Sequence, residues 1–131
     1  MKKVFHLLSI ALVAAVMFAC SSASSPEAAT KAYLKNMQKG DYNAMIEQVY
    51  FTKPLNAEQK AELVGMVEEK AKSELEKKGG LASFEIGEIE MSEDGKKAKA
   101  NYTLTFGDGS TKQDNENLVL VDGKWMIDSG K

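Results

Sequence analysis

The sequence predicts an α+β domain, with three N-terminal helices packed on a four-stranded antiparallel sheet. Two observations carry this. Apolar residues recur at three- and four-residue spacing from Ala29 to Leu75, then switch to alternation from Phe84 to Ile127. Turn signals at Asp94-Gly95, Gly107-Asp108-Gly109 and Asp122-Gly123 divide the second half into four runs. Helices segregated from strands in this way pack together on one sheet face.

The first helix starts at Ser25-Pro26-Glu27, which supplies a cap, a proline at the first helical position and an acid in the first turn. Ala29, Tyr33 and Met37 form its stripe, widened by Ala32 and Leu34, and Gly40 ends it. Asp41 caps a second, short helix through about Tyr50, with Tyr42, Met45, Ile46 and Val49 apolar; residues 51–56 connect onward. Asn56 and Gln59 form a capping-box pair for the third helix. Ala57, Ala61, Val64, Val67, Ala71 and Leu75 run along one face of it. The other face is charged, with Glu68–Lys72 and Glu74–Lys78 at i,i+4, and reads as a solvated surface. Gly79-Gly80 stops this helix. Phe84 and Ile86 then alternate, and Ile89 and Met91 alternate one residue out of phase, which predicts a β-bulge at Gly87-Glu88. Ala98, Ala100, Tyr102, Leu104 and Phe106 mark the clearest strand. A third covers residues 111–121, and a fourth holds Trp125 and Ile127.

The N-terminus has a different character. Lys2 and Lys3 precede a run over residues 4–19 broken only by His6 and Ser9. That is a secretory leader, and it is short of the roughly 20 apolar residues a membrane span needs. An uncleaved anchor is the alternative. Met17-Phe18-Ala19-Cys20 resembles a bacterial lipobox in the relaxed form of Bacteroidetes lipoproteins, with Met17 where leucine is usual and a bulky Phe18. The resemblance implies that Cys20 becomes the mature N-terminus and carries a diacylglycerol thioether and an N-acyl chain. A buried core cysteine is the competing reading, and the position between a leader and a serine run speaks against it. The expected organisation is a leader over residues 1–19, lipidated Cys20 and a serine linker over residues 20–25, and one α+β domain over residues 26–131. Several acyl chains hold a protein stably on a bilayer. The expected location is therefore the cell envelope. No acidic cluster follows Cys20, which favours the periplasmic face. Ser21, where an aspartate would signal retention, favours the outer membrane.

The residue inventory excludes several classes of function. Formal net charge is −2, and becomes −4 once Lys2 and Lys3 leave with the leader. There is no arginine, and the one histidine, His6, lies in the leader. A His–Asp pair, a zinc or copper site, and a nucleic-acid partner are thereby disfavoured. The acid-rich stretch over residues 108–116 lacks the spacing of an EF-hand. No metal and no cofactor are expected.

Two stretches carry a family likeness. "SPEAATKAYLKNMQKGDYNAMI" resembles the opening of small nuclear-transport-factor-2-like (NTF2-like) lipoproteins, and "LVLVDGKWMID" resembles their closing hairpin. Pro26, Tyr33, Leu34, Gly40, Asp41, Tyr42, Gly123, Lys124 and Trp125 are the matching positions. The chain is most similar to the domain-of-unknown-function 4878 family. The resemblance implies a cystatin-like cone in which a strongly curved sheet wraps a long helix, often around a pocket. Enzymes related to ketosteroid isomerase or scytalone dehydratase are similar in fold only.

Candidate pocket residues follow from the pattern. Asp114 and Glu116 share a strand face with Leu118 and Leu120, and reach a pocket edge if that face turns inward. The competing reading is a polar strand end in water. Tyr33, Tyr102, Phe106 and Trp125 are the aromatic candidates for its walls. A small domain has few apolar residues to spare, which favours their serving as core. The expected function is a membrane-tethered, non-catalytic module that binds a small apolar ligand or a protein partner, including a second copy of itself. The alternative is a small carboxylate-dependent enzyme of the isomerase or dehydratase kind.

Overall fold

The computed structural model describes residues 23–129. The predicted leader, Cys20, Ser21 and Ser22 lie outside them. The elements are α1 (Pro26–Lys39), α2 (Tyr42–Glu47), β1 (Val49–Tyr50), α3 (Ala57–Lys77), β2 (Leu81–Met91), β3 (Lys97–Phe106), β4 (Thr111–Val121) and β5 (Lys124–Asp128). They form an α+β fold around one sheet of order β1-β5-β4-β3-β2.

The predicted caps set the helix ends. Ser25 Oγ accepts from the Ala28 N–H at 3.0 Å, and Asp41 Oδ1 from Ala44 N–H at 3.1 Å. Asn56 and Gln59 bond reciprocally at 2.7 and 3.0 Å. Each satisfies amides that the first helical turn leaves without partners. The predicted bulge is present: the β2–β3 register shifts between Ile86 and Ile89. A second shift falls between Leu81 and Ser83.

Three expectations need correction. The sheet has five strands rather than four, and it is not wholly antiparallel: β1 runs parallel to β5, with Val49 opposite Ile127. The second helix accordingly ends at Glu47 and does not reach Tyr50. The physical reason is the open edge of β5. Its outward amides at Ile127 and Ser129 donate to the Gln48 and Tyr50 carbonyls at 2.8 and 3.3 Å, bonds a continued helix could not offer. The same edge also holds the chain just ahead of α1. The next outward amide, Trp125 N–H, donates to the Ala23 carbonyl at 2.9 Å, and Ser25 caps α1.

Two apolar clusters pack between α1 and the sheet. One holds Ala29, Ala98, Ala100, Leu118, Trp125 and Ile127; the other holds Leu34, Leu81, Tyr102, Leu104 and Phe106. Tyr33 on α1 packs against both. Helix α3 is different, because none of its residues is buried. Its apolar stripe is half-covered, and Met66 beside the stripe is 63% exposed. The helix is fastened at its ends. Lys60 Nζ lies 3.5 Å from Glu47 Oε2 on α2. Beyond its last turn, the Lys78 and Gly80 carbonyls accept from the Asp108 and Gly107 amides, both at 2.8 Å. Among the described residues, no helix is long and apolar enough to cross a membrane.

Candidate functional site

Strand pairing decides which side chains meet. On β3 and β4, Leu104 lies opposite Lys112, Tyr102 opposite Asp114, Ala100 opposite Glu116 and Ala98 opposite Leu118. Side chains alternate along a strand, so Lys112, Asp114 and Glu116 share the face that carries buried Leu118. Of the two acids on that face, Glu116 is half-buried and Asp114 stays exposed, so the polar-strand-end reading describes Asp114 and not Glu116. The loosely seated helix α3 bridges this part of the sheet and leaves a cavity of ≈ 190 Å³ beneath it.

The cavity has an apolar side and a polar side. Met37 from α1, Leu75 from α3, and Leu104 and Phe106 from β3 form the first. Glu74, Lys112, Asp114 and Glu116 contribute to the second, with Tyr102 between them. Tyr102 sits one diagonal step from Glu116, and its phenol donates to Glu116 Oε2 at 3.0 Å. Lys112 Nζ lies 3.6 Å from Asp114 Oδ2. The Lys78 ammonium sits 4.6 Å from the centre of the Phe106 ring, a cation–π distance.

Burial raises the Glu116 carboxyl above its usual range; the Tyr102 hydrogen bond opposes this and the Asp114 charge adds to it. The same burial, with Glu116 nearby, pushes Tyr33 up to about 12 and raises Tyr102 as well. Near neutral pH both phenols stay protonated, and Tyr102 donates to Glu116. Glu116 is the most enclosed of the carboxyls there, Glu74 and Asp114 being exposed.

The candidate residues divide as follows. Tyr102, Phe106, Asp114 and Glu116 line the cavity. Tyr33 packs in the core and is coupled to the site through the Glu116 charge. Trp125 does not line it. It pairs with Leu120, four residues along β4 from Glu116 or about 13 Å, and is buried in the first core cluster. The helix side of the cavity, Met37, Ala71, Glu74, Leu75 and Lys78, escaped sequence reasoning. Ala71 and Leu75 belong to a stripe that reads as core, and only the incomplete seating of α3 makes them a wall.

Other concave regions are less enclosed. A depression of ≈ 460 Å³ lies over the opposite sheet face, where Asn101, Thr103, Gln113 and Asn115 supply polar side chains and none of the four is buried. Among the described residues, no group of three or more His, Cys, Asp or Glu is placed to hold a metal ion.

Comparison with known proteins agrees with this architecture. A family model described as a domain of unknown function, DUF4878, matches residues 18–128. No curated protein matches the sequence. A solved structure described as an NTF2-like transpeptidase from Campylobacter jejuni superposes with a TM-score of 0.67 at 20% identity, over 80% of this chain and 98% of that one. At that identity the likeness shows an NTF2-like fold and nothing of activity. The intermembrane-space region of the chloroplast protein ARC6 (TM-score 0.40, 14% identity, 77% of this chain and 91% of that one) also matches. So does Aln2 from a Streptomyces species (0.42, 15%, 79% and 87%). Neither reaches a similarity that bears on function.

Proposed function

Since the chain belongs to the DUF4878 family, whose description assigns no activity, we propose a function from the site itself: a lipid-anchored binding module of the bacterial envelope that holds a small ligand between α3 and the sheet. The observation that carries this reading is the ≈ 190 Å³ cavity with an apolar wall and the Tyr102–Glu116 pair beside it. Apolar walls with a few convergent polar groups are the usual form of a small-ligand site. The size sets the ligand: a cavity of about 150 Å³ accommodates benzene, so this one takes a single ring with a short substituent.

The anchor reading is supported by the chain's path. Ala23 is held against β5 and lies three chain steps from Cys20, a reach of about 11 Å at most. The cavity lies toward the other end of the sheet. The row holding Leu104 and Lys112 is six residues, about 20 Å, from the row holding Ala98 and Leu118. A lipidated Cys20 would keep the β5 end near the bilayer and direct the cavity into the periplasm. Mass spectrometry of the N-terminal peptide is expected to show acylated Cys20, and an unmodified leader would refute the anchor.

The cavity is tested by adding benzyl alcohol to the full-length chain in detergent and following the Met37 and Leu75 methyl signals. Shifts at these positions, abolished by Ala71→Phe, are expected; their absence would refute a ligand site. A second reading, a carboxylate-dependent isomerase or dehydratase, draws support from the raised Glu116 carboxyl, since a general base works best near the operating pH. Turnover of an enolisable or dehydratable probe that Glu116→Gln abolishes would favour it.

A further inference from the structure

Charge at the cavity wall narrows the ligand class. Glu74, Asp114 and Glu116 bring three carboxylates to the lining, against the ammonium groups of Lys78 and Lys112. Both cations are otherwise engaged: Lys112 with Asp114, and Lys78 over the Phe106 ring. Glu116 is the most enclosed of the three acids, and its hydrogen-bond partner among the described residues is a neutral donor, the Tyr102 phenol on Oε2. Among the described residues, no salt bridge reaches it.

We infer that the cavity takes a small ammonium cation bearing one ring or a short alkyl chain, with Glu116 as its counter-ion. The inference rests on the reading of the cavity as a ligand site. An anion would approach a partly desolvated carboxylate and be repelled. A neutral ligand would displace water from Glu116 and leave the charge without compensation. An ammonium does neither: its charge pairs with Glu116 while its apolar body lies against Met37, Leu75, Leu104 and Phe106. The upward shift of the Glu116 carboxyl agrees, since it marks a carboxylate removed from water without a cation beside it. The aromatic ring of Tyr102 on the lining also suits a cationic guest.

The test uses the full-length chain in detergent, with protein-free micelles as the blank. Benzylamine, benzyl alcohol and benzoate share a ring and differ in charge. Each is titrated at neutral pH while the Met37, Leu75 and Leu104 methyl signals are followed. Benzylamine is expected to bind about tenfold more tightly than benzyl alcohol, as close charge pairing at a partly buried site allows. Benzoate is expected to bind more weakly than either. In Glu116→Gln the preference for the amine is expected to vanish while benzyl alcohol binding persists, which also shows that the variant folds. Equal binding of amine and alcohol, or a preference for benzoate, overturns the ammonium inference and leaves the ligand site standing. An amine preference that survives in Glu116→Gln overturns the role of Glu116. Failure of all three probes to shift the methyl signals overturns the ligand site as well.

Discussion

The seating of α3 controls the cavity, and Gly107→Ala tests what holds it. Gly107 follows β3, and its neighbour across space is Gly79, just beyond α3. A Cβ at Gly107 would overlap the Gly79 carbonyl oxygen and lie 2.8 Å from its carbon. Both are backbone atoms, so no side-chain rotation relieves the overlap and the two turns must separate. Separation breaks the 2.8 Å bonds from Gly107 N–H to the Gly80 carbonyl and from Asp108 N–H to the Lys78 carbonyl. At about 0.5–1.5 kcal/mol each, their loss costs about 1–3 kcal/mol. Residual crowding adds roughly 1 kcal/mol, so the expected loss is about 2–4 kcal/mol. Gly65 is the control: it lies within α3 and an added Cβ meets nothing within 4 Å. Gly65→Ala is expected to gain about 0.5–1 kcal/mol from helix propensity. Urea unfolding of the domain from residue 21 onward, followed by the fluorescence of Trp125, reads both. Trp125 is the chain's one tryptophan, and it is buried in the other core cluster. A Gly107→Ala variant within about 0.5 kcal/mol of the parent would show that this turn contact does not hold the helix.

Two further predictions concern ionisation. Glu116 binds its proton more tightly folded than unfolded. Its contribution to stability is therefore full below its ordinary value of 4.5 and is lost as pH rises through the raised folded value. Glu116→Gln removes that loss, so its stability relative to the parent is expected to be greater near pH 8 than near pH 4, by urea titration at each; parallel pH profiles would contradict the burial of the carboxyl. Tyr33 is expected to ionise at about 12 rather than 10.0, with Tyr102 also late. Ultraviolet absorbance titration should show a late fraction that shrinks in Tyr33→Phe. Because these folded phenols hold their protons longer than unfolded ones, stability falls as pH climbs past 10. A single transition of all four tyrosines near the ordinary value would refute it.

Much of the candidate site was legible because alternation along a strand is a local property. Once residues 111–121 read as a strand carrying Leu118 and Leu120 on one face, Asp114 and Glu116 had to share that face. What alternation could not supply was depth. Asp114 remains exposed and Glu116 is half-buried, although they are two residues apart on one face. The difference comes from what lies across the strand and above it. Trp125 shows the converse: its aromatic character suited a pocket wall, but its pairing with Leu120 seats it in the core away from the cavity.

Local sequence was enough to set the helix caps, the turns, the β2 bulge and which β4 residues share a face. Each depends on residues close in the chain, where a side-chain oxygen, a glycine or a period of two fixes the outcome. Long-range packing set the rest. β1 is two residues long and carries no periodicity; it exists because β5 offered an open edge some eighty residues away. The hold on Ala23 has the same origin. The cavity exists because α3 is fastened at its ends and lies only half-covered in between, so that a stripe with the pattern of a core helix became a wall facing Glu116.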